Sequence, residues 1–203
     1  MNTILPEFTG SIERIKNNFY FSFLALCFIN QRPFPNDIVL PVNLPDNIMT
    51  AASLNNFDND GVQEYGNSTR RHFLNDMVIG YERYSMAMYA SHNNGQTRID
   101  PALLNDRQLG AHRFEQLSHV YGNDDKTFLV RLRRLRNTIV HYNGVYSLTN
   151  SLDYTFGTQT FYSVGHEGQN ISIEFENILW IYDKLLECVA RGNSNYFVNY
   201  PLP

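Results

Sequence analysis

Apolar residues recur every three or four positions through several long stretches of this chain, a spacing that only an α-helix turns into one continuous buried stripe. Over residues 11–31, Ile12, Ile15, Phe19, Leu24, Cys27 and Phe28 follow it, with Ser11 at the start and Pro33 just beyond the end, which predicts a first helix. Ser68 or Thr69 can cap a second, whose stripe is Phe73, Met77, Tyr81, Tyr84 and Met88 and which runs to Asn93-Asn94-Gly95. Asp100-Pro101 restarts a helix that continues through Leu109, Phe114 and Leu117 toward Gly122. Asp124 caps the next, which Asn143-Gly144 ends, and a last helix over 174–191 places Ile178, Ile181, Tyr182, Leu185 and Val189 on one face before Gly192.

Two stretches break that period. Residues 32–68 carry Pro33, Pro35, Pro41 and Pro45 and then the polar run Asn55 to Gly61, which reads as an irregular insertion with a short helix near Asp46–Leu54. Over 156–175 the period switches to two: Thr158, Thr160, Tyr162 and Val164 alternate, Gly165-His166-Glu167-Gly168 supplies a turn, and Ile171, Ile173 and Phe175 alternate again, predicting a β-hairpin. No linker divides the chain, so residues 1–203 are expected to form one mainly α domain, a helical bundle with a β-hairpin inserted before the last helix. Hydrophobic residues at 43% are enough for such a domain to build its own core, and exclude wholesale disorder.

A net charge of −4 argues against a body coated in positive charge along a duplex, while leaving room for a local basic site. The basic residues are 13 Arg and 3 Lys, a bias toward the planar donor that grips phosphates and carboxylates with two bonds. Cys27 and Cys188 each sit in an apolar run, where reduced, buried thiols are expected, and this favours a cytoplasmic protein. Phe19 to Ile29, the longest apolar stretch, falls well short of the about 20 residues a bilayer requires. Glu7, Glu13 and the run Asn30-Gln31-Arg32-Pro33 do not suit a signal peptide, so no membrane association is expected.

The chemistry concentrates in residues 124–143. At about 100° per residue, Phe128, Leu132, Leu135, Ile139 and Tyr142 fall within an arc of roughly 80°, the buried face. Arg131, Arg134, Thr138 and His141 gather on another face, but Arg136 lies within the wider apolar arc, between Leu132 on one side and Leu129 and Val140 on the other. A guanidinium cannot shed its proton to escape burial, so it requires a carboxylate, carbonyls, a phosphate or solvent. An ion pair with Asp76 or Glu82 of the second helix answers this within the fold, and so does a packed stem with its head in water. His141 lies about 140° around the helix from Arg136, so the two share no face. At the helix C-terminus the dipole favours the imidazolium, which suits proton transfer as well as simple capping.

Arg136-Asn137-Thr138-Ile139-Val140-His141 resembles the Arg-x4-His signature of the HEPN superfamily, and the succession of long helices over 11–31, 69–143 and 174–191 is similar to that family's up-and-down helical bundle. The resemblance implies a HEPN-like, metal-independent endoribonuclease that cleaves single-stranded RNA, or a relative that keeps RNA or nucleotide binding or protein interaction without catalysis. In active members two protomers bring their motifs to one cleft, so the resemblance implies a homodimer, and a role as a toxin or antiviral defence effector restrained by an antitoxin or regulatory protein. His141 would then transfer protons, Arg136 would stabilise charge on the phosphate and Asn137 would orient, with no metal or other cofactor. Some toxin members place Tyr two residues beyond the His; here that position is Asn143, and Tyr142 follows His141 directly.

Five basic residues against Asp124 and Asp125 make 124–136 locally basic. Arg131, Arg133 and Arg134, with Tyr142 or Tyr146 for stacking, are the expected RNA contacts, although charge runs on helices are also ordinary solvated faces. His112 and His119 are seven apart and can share a helix face, but no carboxylate completes a metal-ligand spacing. His166 belongs first to a turn.

Overall fold

The structure is a computed structural model that describes residues 2–29, 59–100, 113–150 and 152–201. The elements are α1 (Ile4–Ile29), α2 (Asn59–Asn94), the single turn α3 (Arg113–Gln116), α4 (Asn123–His141), a short 3-10 turn, strands β1 (Asp153–Phe156) and β2 (Gln159–Tyr162), and α5 (Phe175–Asn199). The fold is mainly helical, with a two-stranded hairpin ahead of the last helix.

Contacts along the helices fix their directions. The backbone N–H of Thr3, before α1, donates to Thr97 O after α2, while Leu26 at the other end of α1 lies against Gly66, so α1 and α2 are antiparallel. Helix α4 runs against α2, since Arg133 and Tyr81 share a partner and Arg136, one turn later, meets Asn75. Helix α5 runs with α2: Phe73 stacks near Tyr182 and His92 meets Tyr196. The result is an up-and-down bundle whose core joins Ile4, Phe8 and Ile12 of α1 to Leu74, Met77 and Tyr84 of α2, Leu132 and Leu135 of α4, and Ile181 and Leu185 of α5. Burying each such aliphatic or aromatic side chain contributes about 1.5–3 kcal/mol.

The helix limits differ from the sequence expectation at both ends of the chain. Helix α1 starts at Ile4 rather than residue 11: Asn2 Oδ1 accepts the Ile4 N–H at 2.9 Å, Pro6 fits the first turn, and Ile4 and Phe8 extend the buried stripe backward through Gly10. Helix α2 starts at Asn59, nine residues before Ser68, so the end of the presumed irregular insertion 32–68 is helical; packing on α1 overrides its polar composition. Residues 32–58, including the short helix expected near Asp46–Leu54, lie outside the described residues, as do 101–112 of the expected third helix. Helix α4 begins at Asn123 with Gly122 as its cap, so Asp124 stands in the first turn instead of capping it.

Helix α5 continues through Gly192, the predicted stop, to Asn199. Tyr121 lies where a side chain on that residue would go, so Gly192 serves close packing rather than termination, and Tyr196, one turn beyond it, is buried. Cys188 is buried, as its apolar run predicts, but Cys27 is exposed.

The hairpin also differs from expectation. Its strands pair Asp153 with Tyr162 and Phe156 with Gln159 around Gly157-Thr158, so it starts three residues earlier than the expected 156–175 unit and overlaps only its first part. Gly157 takes φ +60°, and the buried Asn177 of α5 accepts the Thr158 N–H at 2.8 Å, pinning the turn to the bundle. Ile171 and Ile173 are buried, but outside β1 and β2 the nearest pairing is one bridge between Val145 and Asn170. Their alternation marks burial against the bundle rather than strand pairing. Phe156 of the hairpin meets Phe128 of α4 edge to face, with ring centroids 6.1 Å apart.

Candidate nucleic-acid site on helix α4

Helix α4 buries Asp125, Phe128, Leu129, Leu132, Leu135 and Thr138. Ile139 and Tyr142, expected on that face, are half-buried, and Thr138, expected on the polar face, is fully buried. Thr138 tolerates burial because its hydroxyl donates to the Arg134 carbonyl at 3.0 Å, one turn back. The opposite ridge carries exposed Val130, Arg134 and His141 with half-buried Asn137 among them, four residues that share one face at helical spacing.

Arg136 sits at the edge between these faces and is half-buried. Its Nε donates to Asn75 Oδ1 of α2 at 3.2 Å, and its Nη1 donates to Asn137 Oδ1 at 3.0 Å. Neither Asp76 nor Glu82 pairs with it, and among the described residues no carboxylate lies within ion-pair distance. Two neutral amides orient the guanidinium without neutralising it.

The helix stays regular through His141 and then turns sharply. Tyr142 N–H and Gly144 N–H both donate to Thr138 O, at 3.2 and 3.3 Å, with Asn143 and Gly144 at φ +52° and +70°. His141 is therefore exposed at the end of the helix and shares no hydrogen bond with Arg136; the two do not converge within the chain. Gly144 has a second reason to lack a side chain, since its Cβ would lie 2.7 Å from Arg71 Cζ. Arg71 crosses there to donate to Ile171 O at 3.2 Å from Nε and 2.8 Å from Nη2, tying α2 to the segment before α5.

The other expected RNA contacts divide. Arg133 points inward, gripping Glu115 with two nitrogens, while Tyr81 donates to the same carboxylate at 2.6 Å. Burial lowers the guanidinium's affinity for its proton, but the bonds to Glu115 outweigh this and leave its pKa raised. Burial, followed by the Glu115 charge, pushes the Tyr81 phenol well above its ordinary range. Arg133 is thus committed within the fold, which narrows the outward basic set to Arg131 and Arg134. Arg131 lies 6.0 Å from the centre of the Tyr154 ring of the hairpin, and Tyr142 is half-buried at the helix end.

Helix α2 contributes residues that the sequence reading passed over. A groove of about 280 Å³ between α2 and α4 is bounded by Arg71, His72 and Asn75 on one side and by Val140 and Asn143 on the other. Ser68, Arg71 or His72, and Asn75 repeat at helical spacing, a polar stripe that was available as a signal. Asn75 both lines this groove and accepts from Arg136 Nε, although Arg136 is not itself among the lining residues. His119 has φ +62° in a turn, and His166 bonds Gln169 at 3.0 Å in another. Among the described residues, no group of three or more His, Cys, Asp or Glu could hold a metal, and no helix is long and apolar enough to cross a membrane.

The chain matches no protein-family model, no curated protein and no solved structure.

Proposed function

We propose that this protein is a HEPN-like, metal-independent endoribonuclease that cuts single-stranded RNA at a site composed from two copies of the chain. The observation that carries the reading is Arg136: a half-buried guanidinium held by the neutral oxygens of Asn75 and Asn137, with no counter-ion among the described residues, and with Asn75 also lining the groove between α2 and α4. A cation fixed in direction and left unneutralised is suited to an anion from outside, and a phosphodiester presents one.

His141 supplies the proton chemistry. Its separation from Arg136 within a subunit is what a composite site accommodates, because the ridge of Val130, Arg134, Asn137 and His141 can face its own copy across a two-fold axis. Exposed Val130 gives that ridge apolar contact area. The ribose 2′-oxygen attacks the adjacent phosphorus while one His141 takes the 2′-hydroxyl proton; the P–O5′ bond breaks, and the second His141 protonates the leaving 5′-oxygen. Arg136 stabilises the charge gathered on the non-bridging oxygens. The products are a 2′,3′-cyclic phosphate and a 5′-hydroxyl, and neither metal nor external nucleophile enters the balance.

Labelled single-stranded RNA incubated with the protein in excess EDTA tests this. Cleavage to 2′,3′-cyclic ends should fall at least about 100-fold in both Arg136→Ala and His141→Ala variants that keep their melting temperature. Intact RNA with the parent protein, or cleavage indifferent to both substitutions, overturns the assignment. The second reading, RNA binding without cleavage, draws on the separation of Arg136 from His141, and it predicts retained RNA that only Arg136→Ala releases.

A further inference from the structure

Outside that site, the molecule holds a larger cavity, about 630 Å³, near the start of α2 and walled by the end of α1 and by Ser172. It shares no lining residue with the groove beside Arg136. Two of its polar groups are unanswered. Asn67 is 8% exposed and donates through Nδ2 to Ile171 O at 3.2 Å, which fixes the orientation of the amide and leaves its buried Oδ1 with no donor. One turn along, Arg70 Nε is buried and has no acceptor. Burial, and then the neighbouring Arg71 charge, lowers the Arg70 pKa, and no carboxylate among the described residues pairs with it. Buried polar groups without partners are uncommon in folded proteins, and two lining one cavity of ligand size point to an occupant.

The lining specifies what that occupant carries. Arg70 calls for an anionic group, and Asn67 Oδ1 calls for an N–H or O–H donor. Asp60 and Glu64 stand at the rim, Glu64 being shared with Arg71 at 3.6 Å, so a purely anionic molecule would meet two carboxylates on entry. A donor that is itself positively charged turns that repulsion into attraction. Leu26 and Val62 supply an apolar wall, and Gly66 keeps the space between α1 and Arg70 open, its Cβ position lying 2.9 Å from Leu26 Cδ2 and 3.5 Å from Arg70 Nη1.

We infer that this cavity is a binding site for a small zwitterion, an aliphatic amino acid or a close analogue, whose carboxylate pairs with Arg70 and whose ammonium donates to Asn67 Oδ1 with Asp60 nearby. The inference is independent of the ribonuclease reading.

Calorimetric titration of the full chain with leucine, with 4-methylpentanoate as the anion alone and with isoamylamine as the cation alone tests it. Leucine should bind, and each half-molecule should bind at least about tenfold more weakly, since each leaves one polar group unanswered. Melting curves of an Arg70→Met variant keep the test independent of a folding defect. Without ligand the variant should melt about 2–4 °C above the parent, because it removes a desolvated charge that the fold does not pair. With saturating leucine the order should reverse. No heat with leucine, equal affinity for 4-methylpentanoate, or an unliganded Arg70→Met variant that melts below the parent overturns the proposal.

Discussion

Arg133 and Arg136 lie one turn apart on the same helix and face α2 from neighbouring positions, yet the fold treats them in opposite ways. Arg133 meets a carboxylate that is 7% exposed at its side chain, and Tyr81 donates to the same Oε1 that accepts from Arg133 Nη1. Arg136 meets two amide oxygens at the margin of a groove. One charge is neutralised inside the protein; the other is aimed and left available. A basic run in sequence is therefore not one functional unit, because a rotation of 60° between adjacent ridge positions separates a core ion pair from a surface cation.

The comparison breaks most readily at Arg133. An Arg133→Met substitution leaves Glu115 buried with no cation, and chemical denaturation should show a loss of about 3–5 kcal/mol. Combining it with Glu115→Gln should recover more than half of that loss, since the substituted amide carries no charge and still accepts from Tyr81.

At the start of the same helix, Asp125 offers a test by pH. Hydrogen bonds from Arg191 at 2.7 and 3.0 Å hold its carboxyl below the usual carboxylate range, against the opposing effect of burial. A depressed folded-state pKa contributes stability that is present above the unfolded pKa and lost as pH falls through the folded one. The parent's melting temperature should therefore fall below about pH 4, and an Asp125→Asn variant should show a flatter acid limb. Because Arg191 is 45% exposed, the effect should be smaller than that of Arg133. The same pair bears on Cys188, whose thiol is pushed up to about 12 by burial and by its bond to Asp125, so a thiol reagent should label Cys27 in the native protein and spare Cys188.

Arg136 should show the smallest effect on stability. Water can replace it at the half-buried Asn75 and Asn137, so an Arg136→Met variant should unfold within about 1 kcal/mol of the parent. A loss as large as that of Arg133→Met would place Arg136 among the structural charges and remove the basis of the ribonuclease proposal.

Much of the bundle was legible because its stripes are long and regular. Phe73, Met77, Tyr81, Tyr84 and Met88 are all buried along α2, as their spacing requires. The hairpin was harder to place: Ile171 and Ile173 alternate in burial as a strand's residues would, yet they pack on the bundle outside β1 and β2. Gly192 reads as a break and is helical interior, since nothing local reveals that a neighbouring ring needs the space there. At the candidate site, spacing alone singled out Arg136 as misplaced on an apolar face. It could not name Asn75 as the partner, and it grouped Arg133 with the RNA contacts because Glu115, its partner, comes from a separate helical turn.

The order of hydrophobic and polar residues along the chain determined that it folds into helices, which faces turn inward and which cations lie near the boundary, because these follow from a periodicity written into neighbouring positions. Only the tertiary structure decided which cation is neutralised, which glycine ends a helix and which polar atoms are left unanswered. Those outcomes depend on groups tens of residues away, and sequence spacing carries no information about the distances between them until the helices have packed.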